Sequence, residues 1–177
     1  MGSYLLVIHL ERAVQLAFGK FQHGALFTIP KGDYLYIGSA LGGTTSGAPL
    51  ARRVLRHASR SGGKSHHHIR DEMVQLFLEK RFLERTVMTP SAKKLRWHVD
   101  YLLELPEAEL THVVLIRSPL RIEQKLAELA EKLDGISRIA PRLGAQDTKG
   151  STHLLKLANR EQLLDQLRLE IPEMIKS

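Results

Sequence analysis

The chain has 177 residues, enough for one domain with a sizeable core and too few for two comfortable ones. It carries 26 Lys and Arg against 19 Asp and Glu, and its formal net charge of +7 favours an anionic partner such as nucleic acid. It has no cysteine, which excludes disulfides and thiolate metal sites, and its first apolar segment is too short for a signal peptide or a membrane span. We therefore expect a cytoplasmic protein without a membrane or disulfide partner.

Most of the positive charge lies in one window of the sequence. Residues 51–100 contain twelve Lys or Arg and five Asp or Glu, so the rest of the chain is close to neutral. A face that is merely solvated usually mixes the two signs more evenly. The window therefore predicts a surface that contacts the phosphates of DNA, with RNA as an alternative. The expected contacts are Arg52, Arg56, Arg60, Lys64, Lys93, Lys94 and Arg96.

Residues 1–40 predict four short strands. An apolar, β-branched segment from Tyr4 to Leu10 is typical of a buried strand. The segments at 13–18 and 25–29 are separated by glycines and predict a hairpin. A fourth strand is expected from Asp33 to Ser39.

The basic window predicts three helices. The first spans about residues 49–60, because Pro49 suits the first turn of a helix and a Gly-Gly pair follows the segment. Its period gives two faces, with Leu50, Val54 and Ala58 inward, and Arg53, Arg56, His57 and Arg60 outward. The others are expected at about 69–85 and 93–105. Their predicted inward side chains are Met73, Phe77 and Leu78 in one, and Trp97, Tyr101 and Leu102 in the other.

The last third of the chain predicts two more strands and two more helices. A β-branched segment at 111–116 indicates a strand, and Ser118 with Pro119 should begin the next helix. A last strand is expected at 153–157, and Asn159 should cap a closing helix. The sum is an α+β fold, with a small mixed β-sheet flanked by helices.

Five short motifs occur in order along almost the whole chain: GSYLL at 2–6, YLYIGSA at 34–40, Arg53 followed by His57, WHVDYLL at 97–103 and STHL at 151–154. Through them the chain resembles the GIY-YIG nuclease superfamily, and more closely its Uri-type endonuclease-like subgroup. The resemblance implies a GIY-YIG-like nuclease domain over residues 1–158, with the hairpin and a basic helical insertion at about 61–92 as additions. Residues 159–177 would form a helix packed on the same domain.

The resemblance also implies an activity and a set of roles. The expected reaction is metal-dependent hydrolysis of DNA phosphodiester bonds, by nicking or at particular DNA structures, with DNA repair as a setting. Tyr4 would act as general base, with Tyr36 orienting it or the attacking water. Arg53 would stabilise the charge that develops on phosphorus, and His57 would be a further catalytic residue. Glu123 would hold one Mg²⁺ or Mn²⁺ ion. A tyrosine ordinarily titrates near pH 10, so a tyrosine base needs a cation beside it.

The same five residues also suit plainer roles. Tyr4 and Tyr36 are typical strand aromatics. Arg53 and His57 suit a solvated basic helix face, and an acid such as Glu123 is favoured near any helix N-terminus. A domain of the same fold that binds branched or damaged DNA, or structured RNA, without cleaving it is therefore the alternative function. A protein-interaction domain is a third class.

Four further residues are expected near this site: His98, Asp100, Asp147 and His153. His98 and Asp100 are two residues apart on a predicted helix and diverge, so they cannot easily share one ion. His98 is then either a support for the site or structural, and Asp100 either a hydrogen-bonding anchor or an alternative metal ligand. Three consecutive histidines at 66–68 do not converge on a metal without special backbone geometry, so phosphate contacts or solvation are expected there.

Overall fold

A computed structural model describes residues 1–41, 48–83, 93–144 and 152–176 of the chain. Asp147, expected near the site, and Ser151, the first residue of the last motif, lie outside the described residues.

Seven strands and five α-helices make up the described part of the chain. The strands are β1 (Gly2–Leu10), β2 (Val14–Ala17), β3 (Leu26–Ile29), β4 (Gly32–Ala40), β5 (Ala108–Ile116), β6 (Ile136–Arg138) and β7 (Leu154–Leu157). The helices are α1 (Pro49–His57), α2 (Ile69–Glu79), α3 (His98–Leu103), α4 (Glu123–Lys132) and α5 (Arg160–Lys176). Among the described helices, none has the length and apolar character needed to cross a bilayer.

A five-stranded sheet with the order β5-β1-β4-β7-β6 forms the centre of the fold. The four pairings that join its strands are antiparallel. β1 and β4 pair over their full length, with Gly2 opposite Ala40 and Leu10 opposite Gly32. β2 and β3 form the separate hairpin, joined through a 3-10 turn at Phe21–Gly24. The α+β class and the hairpin are as predicted.

Helices cover both faces of the sheet because side chains alternate along β1 and β4. On one face, Tyr4 and Leu6 join a core cluster with Val54 of α1 and Leu102 of α3. On the other, Leu5 of β1 joins a second cluster that includes α4 and α5 residues. Each central strand is therefore buried on both sides, which explains its nearly continuous apolar sequence.

α2 ends six residues before the predicted boundary, at Glu79 rather than Arg85. Arg81 adopts a left-handed φ of 56°, and Phe82 N donates back to Phe77 O at 2.7 Å. The Phe82 and Phe77 rings also pack together, at 6.0 Å between centroids. This turn is a C-cap built from a non-glycine residue, so it carries no glycine signal in the sequence.

α3 begins at His98 rather than at Lys93, because a capping interaction sets its start. Trp97 is extended, and Asp100 Oδ2 accepts the backbone N–H groups of Arg96 and Trp97 at 2.8 and 3.1 Å. Trp97, expected on a helix with its side chain inward, instead precedes the helix and is half-buried.

The remaining boundaries differ less. Asn159 caps α5 as predicted, since its Oδ1 accepts the N–H of Gln162 at 3.1 Å. Ser118 does not cap α4, because its Oγ accepts the N–H of Leu120 and the helix begins later, at Glu123. α1 ends at His57 rather than at residue 60. β6, a three-residue strand, was not predicted.

Candidate active site

The five residues predicted to act together lie at one end of the central sheet, and we call them the candidate site: Tyr4, Tyr36, Arg53, His57 and Glu123. β1 and β4 run antiparallel, which brings Tyr4 near the start of β1 beside Tyr36 on β4. α1 supplies Arg53 and His57 from one face of the sheet. Glu123 is the first residue of α4, on the other face, and its charge and that of Arg53 both act on the Tyr4 hydroxyl.

Three buried aromatic rings pack against one another in the candidate site. The ring centroids of Tyr4 and Tyr36 are 6.2 Å apart, and that of His57 lies 5.6 Å from Tyr4 and 5.9 Å from Tyr36. The exposed fractions of Tyr4, Tyr36 and His57 are 1%, 3% and 0%. Each ring is thus held by the other two, away from bulk water.

Gly38 makes this ring arrangement possible. It lies directly opposite Tyr4 in the β1–β4 register. A Cβ at position 38 would lie 2.5 Å from both Cζ and Oη of Tyr4. The Tyr4 ring therefore crosses the strand at a point where only glycine leaves room, which gives the glycine of the YIG triplet a steric reason.

His57 lies in the core rather than on the outer face of α1, where it was predicted. It follows Val54 by three residues, so the two share one face of the helix. Its Nε2 is 2.9 Å from the Tyr4 hydroxyl, and its Nδ1 is 3.2 Å from Asp100 Oδ1. Burial lowers the pKa of His57 to about 4, so the ring is neutral at pH 7. A neutral ring with its proton on Nδ1 accepts a hydrogen bond from Tyr4.

Asp100 is fully buried and anchors the positions of His57 and α1. Arg56 donates two hydrogen bonds to its carboxylate, each at 2.9 Å. Burial opposes ionisation of Asp100, but the neighbouring His57 and Arg56 and the backbone N–H of Arg96 hold its pKa well below the usual range. Of the two roles expected for Asp100, these contacts match the hydrogen-bonding anchor.

Trp97, which begins the WHVDYLL motif but had no predicted role at the site, also lies beside these residues. The Arg53 guanidinium lies over its ring, with Cζ 4.0 Å from the centroid, and the Arg56 guanidinium lies at 4.6 Å. The His57 ring meets Trp97 edge to face at 5.6 Å. Stacking on a half-buried indole restrains Arg53, which sits beside the Tyr4 hydroxyl.

The two phenols of the candidate site resist ionisation. Burial raises the pKa of Tyr4, and the charge of Arg53 offsets only part of that rise. Burial also raises the pKa of Tyr36 well above its ordinary value, and the neighbouring Tyr4 adds to this effect. Both side chains are therefore neutral at pH 7, and Tyr4 needs an acceptor for its proton if it is to act as a base.

Two side chains orient Glu123. The Ser39 hydroxyl donates to Oε2, and His153 Nδ1 lies 3.1 Å from Oε1. Burial opposes ionisation of Glu123, but His153 and Ser39 outweigh it and lower the pKa of the carboxyl. His153 therefore lies next to the candidate site, as expected, whereas Ser39 was only part of a motif and carried no predicted role.

The donor atoms at Glu123 fit a hard divalent ion. Within the described ranges, no group of three or more His, Asp or Glu side chains is arranged to hold a metal. The side chain of Glu123 is 28% exposed, and each of its oxygens keeps a lone pair beyond the contacts with Ser39 and His153. Mg²⁺ commonly takes only one or two protein carboxylates, because water and substrate phosphate complete its octahedron.

Three of the seven cations predicted to contact phosphates have internal partners instead. Arg56 is paired with Asp100. Arg60 donates to the carbonyl oxygens of Leu103 and Ser65, at 3.3 and 2.9 Å. Lys93 is 3% exposed and lies 3.0 Å from a Glu104 oxygen. Asp100 and Leu103 are more than forty residues from Arg56 and Arg60 in sequence, which is why the charge count did not reveal these pairings. Lys64 is half-exposed beside Glu104, and three of the seven are exposed: Arg52, Lys94 and Arg96.

His98 and His67 are structural rather than parts of the candidate site. His98 Nδ1 accepts the N–H of Gly144 at 2.9 Å, and its ring packs against Phe21 at 4.8 Å. His67 is buried, and its Nδ1 accepts the N–H of Leu110 at 3.1 Å. Of the three consecutive histidines, only His66 and His68 are exposed to solvent or phosphate.

Comparison with known proteins finds one family. Residues 3–176 match the family described as Domain of unknown function DUF123. No curated protein and no solved structure matches the chain.

Proposed function

The chain belongs to the DUF123 family, a domain of unknown function, and from its site we propose that it is a cytoplasmic, metal-dependent nuclease that hydrolyses phosphodiester bonds in DNA. The observation that carries the proposal is the meeting of Tyr4, Tyr36, Arg53, His57 and Glu123 at one end of the sheet. Phosphodiester hydrolysis needs a base for water, a cation for the charge that develops on the phosphoryl oxygens and a carboxylate for a divalent ion. These five side chains supply all three.

Tyr4 and His57 provide the base as a pair. The proton of the attacking water passes to the Tyr4 oxygen while the Tyr4 proton passes to His57 Nε2, 2.9 Å away. This route avoids a free phenolate, which burial disfavours. Burial opposes the imidazolium that results, and the ionised carboxylate of Asp100, 3.2 Å from Nδ1, offsets part of that cost. Tyr36 packs against both rings and fixes their orientation.

Arg53 acts on the phosphate. As the water oxygen bonds to phosphorus and the bond to the leaving oxygen breaks, negative charge accumulates on the phosphoryl oxygens. The guanidinium, held over Trp97, is positioned to stabilise that charge. The leaving oxygen takes a proton from solvent, and His57 returns its proton through Tyr4 to a solvent water, which restores the starting state.

Glu123 would hold the Mg²⁺ or Mn²⁺ ion, with Ser39 and His153 fixing the carboxylate. When bound, such an ion neutralises charge on the phosphoryl and leaving oxygens. One protein carboxylate is sufficient for this purpose.

A second function, binding of nucleic acid without cleavage, is favoured by the burial of the rings. Tyr4 and His57 are 1% and 0% exposed, so bound nucleic acid reaches them only if the side chains around them move. The Glu123 carboxylate is also already in contact with Ser39 and His153. If substrate or metal does not displace these contacts, the fold retains a basic binding surface and no turnover.

Nicking of supercoiled plasmid separates the two functions. If the protein is a hydrolase, we expect nicking that requires Mg²⁺ or Mn²⁺ and is abolished in both Tyr4→Phe and Glu123→Gln. Tyr34→Phe is the matched control for the first variant, because the Tyr34 hydroxyl donates to Pro30 O, away from the candidate site. Glu128→Gln, which alters an exposed carboxylate of the same helix, is the control for the second. Nicking that persists in Tyr4→Phe contradicts the hydrolase, and salt-sensitive binding without nicking supports the second function.

A further inference from the structure

A separate cavity of about 690 Å³ lies beside the segment that precedes α3. We call it the aromatic cavity and define it by Phe18, Phe21, Tyr101, Lys20 and Arg142, which line it together with Arg96 and His98. Its volume lies within the range typical of small-molecule pockets.

Aromatic rings form one wall of this cavity. Phe21 packs on His98 at 4.8 Å and on Phe27 at 5.7 Å, and Phe18 packs on His98 at 6.3 Å. Tyr101 leans on the backbone of Gly19, where a Cβ would lie 2.5 Å from its hydroxyl. Phe21 and Tyr101 are only half-buried, so each keeps ring surface for a planar ligand.

The other side of the aromatic cavity is cationic. Lys20, Arg96 and Arg142 line it, and none of its described lining residues is an acid. Within the described part of the chain, the side chains of Lys20 and Arg142 form no ion pair, unlike Arg56, Arg60 and Lys93. His98 accepts the Gly144 N–H at Nδ1, which leaves its proton on Nε2 as a further donor.

Backbone conformation supports a role for this cavity beyond packing. Gln22 and Arg142 adopt left-handed φ values of 44° and 65°, and neither is glycine. Such conformations are costly for these residue types and concentrate at binding sites. Both residues line the aromatic cavity.

We propose that the aromatic cavity binds one unpaired nucleotide, with its base stacked on Phe21 and Tyr101 and its phosphate held by Lys20 and Arg142. Aromatic rings beside unpaired cations are the usual means of binding a single-stranded base and its backbone. Segment 96–98 links the cavity to the candidate site, because Trp97 stacks on Arg53 while Arg96 and His98 line the cavity. The inference that the nucleotide belongs to the substrate strand rests on the proposed function.

The test is fluorescence anisotropy with a labelled twelve-nucleotide oligo(dT) and a blunt duplex, in EDTA so that binding is measured without hydrolysis. In Lys20→Ala/Arg142→Gly we expect affinity for oligo(dT) to fall about tenfold and its salt dependence to weaken by about one unit of log–log slope per lost cation. Affinity for the duplex should change by less than about twofold. Glycine suits the left-handed backbone at 142, so the thermal midpoint should not fall below that of the unaltered protein.

Lys132→Ala/Arg168→Ala is the matched control, since it removes two cations from α4 and α5 on the opposite sheet face. Equal losses in the two double variants, or an equal loss on duplex, would overturn the proposal. A second readout is photocrosslinking with oligo(5-bromo-dU), which should label Phe21 or Tyr101. Crosslinks confined to other segments would also overturn it.

Competition by dTMP distinguishes a free nucleotide from a nucleotide within a strand. Displacement of oligo(dT) by dTMP at equal concentration assigns the cavity to a free nucleotide, and displacement only by oligonucleotides assigns it to a strand. Cavity-dependent binding in a protein that does not nick plasmid leaves this proposal intact and overturns the hydrolase. If Lys20→Ala/Arg142→Gly changes neither nicking nor oligo(dT) binding, the cavity proposal is overturned and the hydrolase is left intact.

Discussion

At the scale of single residues, the candidate site depends on contacts that no local pattern specifies. Tyr4 has its place in the site only because Gly38 leaves room for its ring and His57 accepts a hydrogen bond from its hydroxyl. His57 is oriented toward Tyr4 because Asp100, far away in sequence, faces its other ring nitrogen. The polar groups at this site are therefore positioned by contacts between buried side chains that are far apart in sequence.

Gly38→Ala should displace the Tyr4 ring and abolish any nicking activity. The added Cβ would meet Tyr4 at 2.5 Å, so the ring must move or the strands must separate. Overpacking of this kind costs about 1–3 kcal/mol of unfolding free energy, measurable by urea denaturation. Gly62→Ala is the comparison, because a Cβ there has no neighbour within 4 Å and only the backbone conformation is strained. A fully active Gly38→Ala protein would contradict the placement of Tyr4.

At the scale of elements, the bounds of the central strands were predictable, whereas the end of α2 and the start of α3 were not. β1 and β4 lie within two residues of their predicted bounds, because a short apolar segment bounded by turn or charged residues identifies a buried strand locally. The ends of α2 and α3 depend instead on Arg81 and on the Asp100 carboxylate, whose roles appear only once the chain is folded. The candidate site shows the same limit: its five members were predicted through the family resemblance, whereas Ser39 and Trp97 lie in the motifs but had no predicted role at the site.

The contact between the end of β4 and the start of α4 leads to a prediction about metal affinity. Ser39, at the end of β4, donates to the Glu123 carboxylate at the start of α4. Residues that orient a metal-binding carboxylate typically contribute about 10- to 100-fold in affinity. Ser39→Ala should therefore raise the Mg²⁺ or Mn²⁺ concentration needed for half-maximal nicking by about tenfold, with little change at saturation. Ser137→Ala, on edge strand β6, is the control and should leave that concentration unchanged.

At the scale of the whole molecule, the basic charge has two separate uses. Arg56 of α1 and Arg60 just after it bind Asp100 and Leu103 of α3, and Lys93 binds Glu104 at the end of α3. Arg52 and Lys94 lie exposed at the surface, where an anionic partner can reach them. Net charge alone predicted a nucleic-acid surface but could not separate these groups, since both belong to one sequence window.

Buried neutral histidines should make folding stability fall in mild acid. The pKa of His57 is about 4 in the folded protein and near 6.5 when unfolded, so the unfolded chain binds more protons between these values. Stability is thus fully present above pH 6.5 and is lost as the pH falls toward 4. His57 alone should account for about 2–3 kcal/mol between pH 7 and pH 4.5, and the buried His67, whose pKa is also lowered, acts in the same direction.

Urea denaturation at pH 7 and pH 4.5 measures this loss. In His57→Gln, the loss of unfolding free energy between pH 7 and pH 4.5 should be smaller by about 2–3 kcal/mol, the contribution of His57. His68→Gln replaces an exposed neighbour of His67 and serves as the control. An undiminished loss in His57→Gln would show that His57 is not buried in its neutral form.

The position of Trp97 has a practical consequence, because it is the chain's one tryptophan. Its indole touches Arg53 and the ring of His57, and its sequence neighbours line the aromatic cavity. Emission from unlabelled protein excited at long wavelength therefore originates at a single point between the two sites. Changes in its intensity or colour on adding ions or oligonucleotides report occupancy there directly, without a dye or an engineered probe.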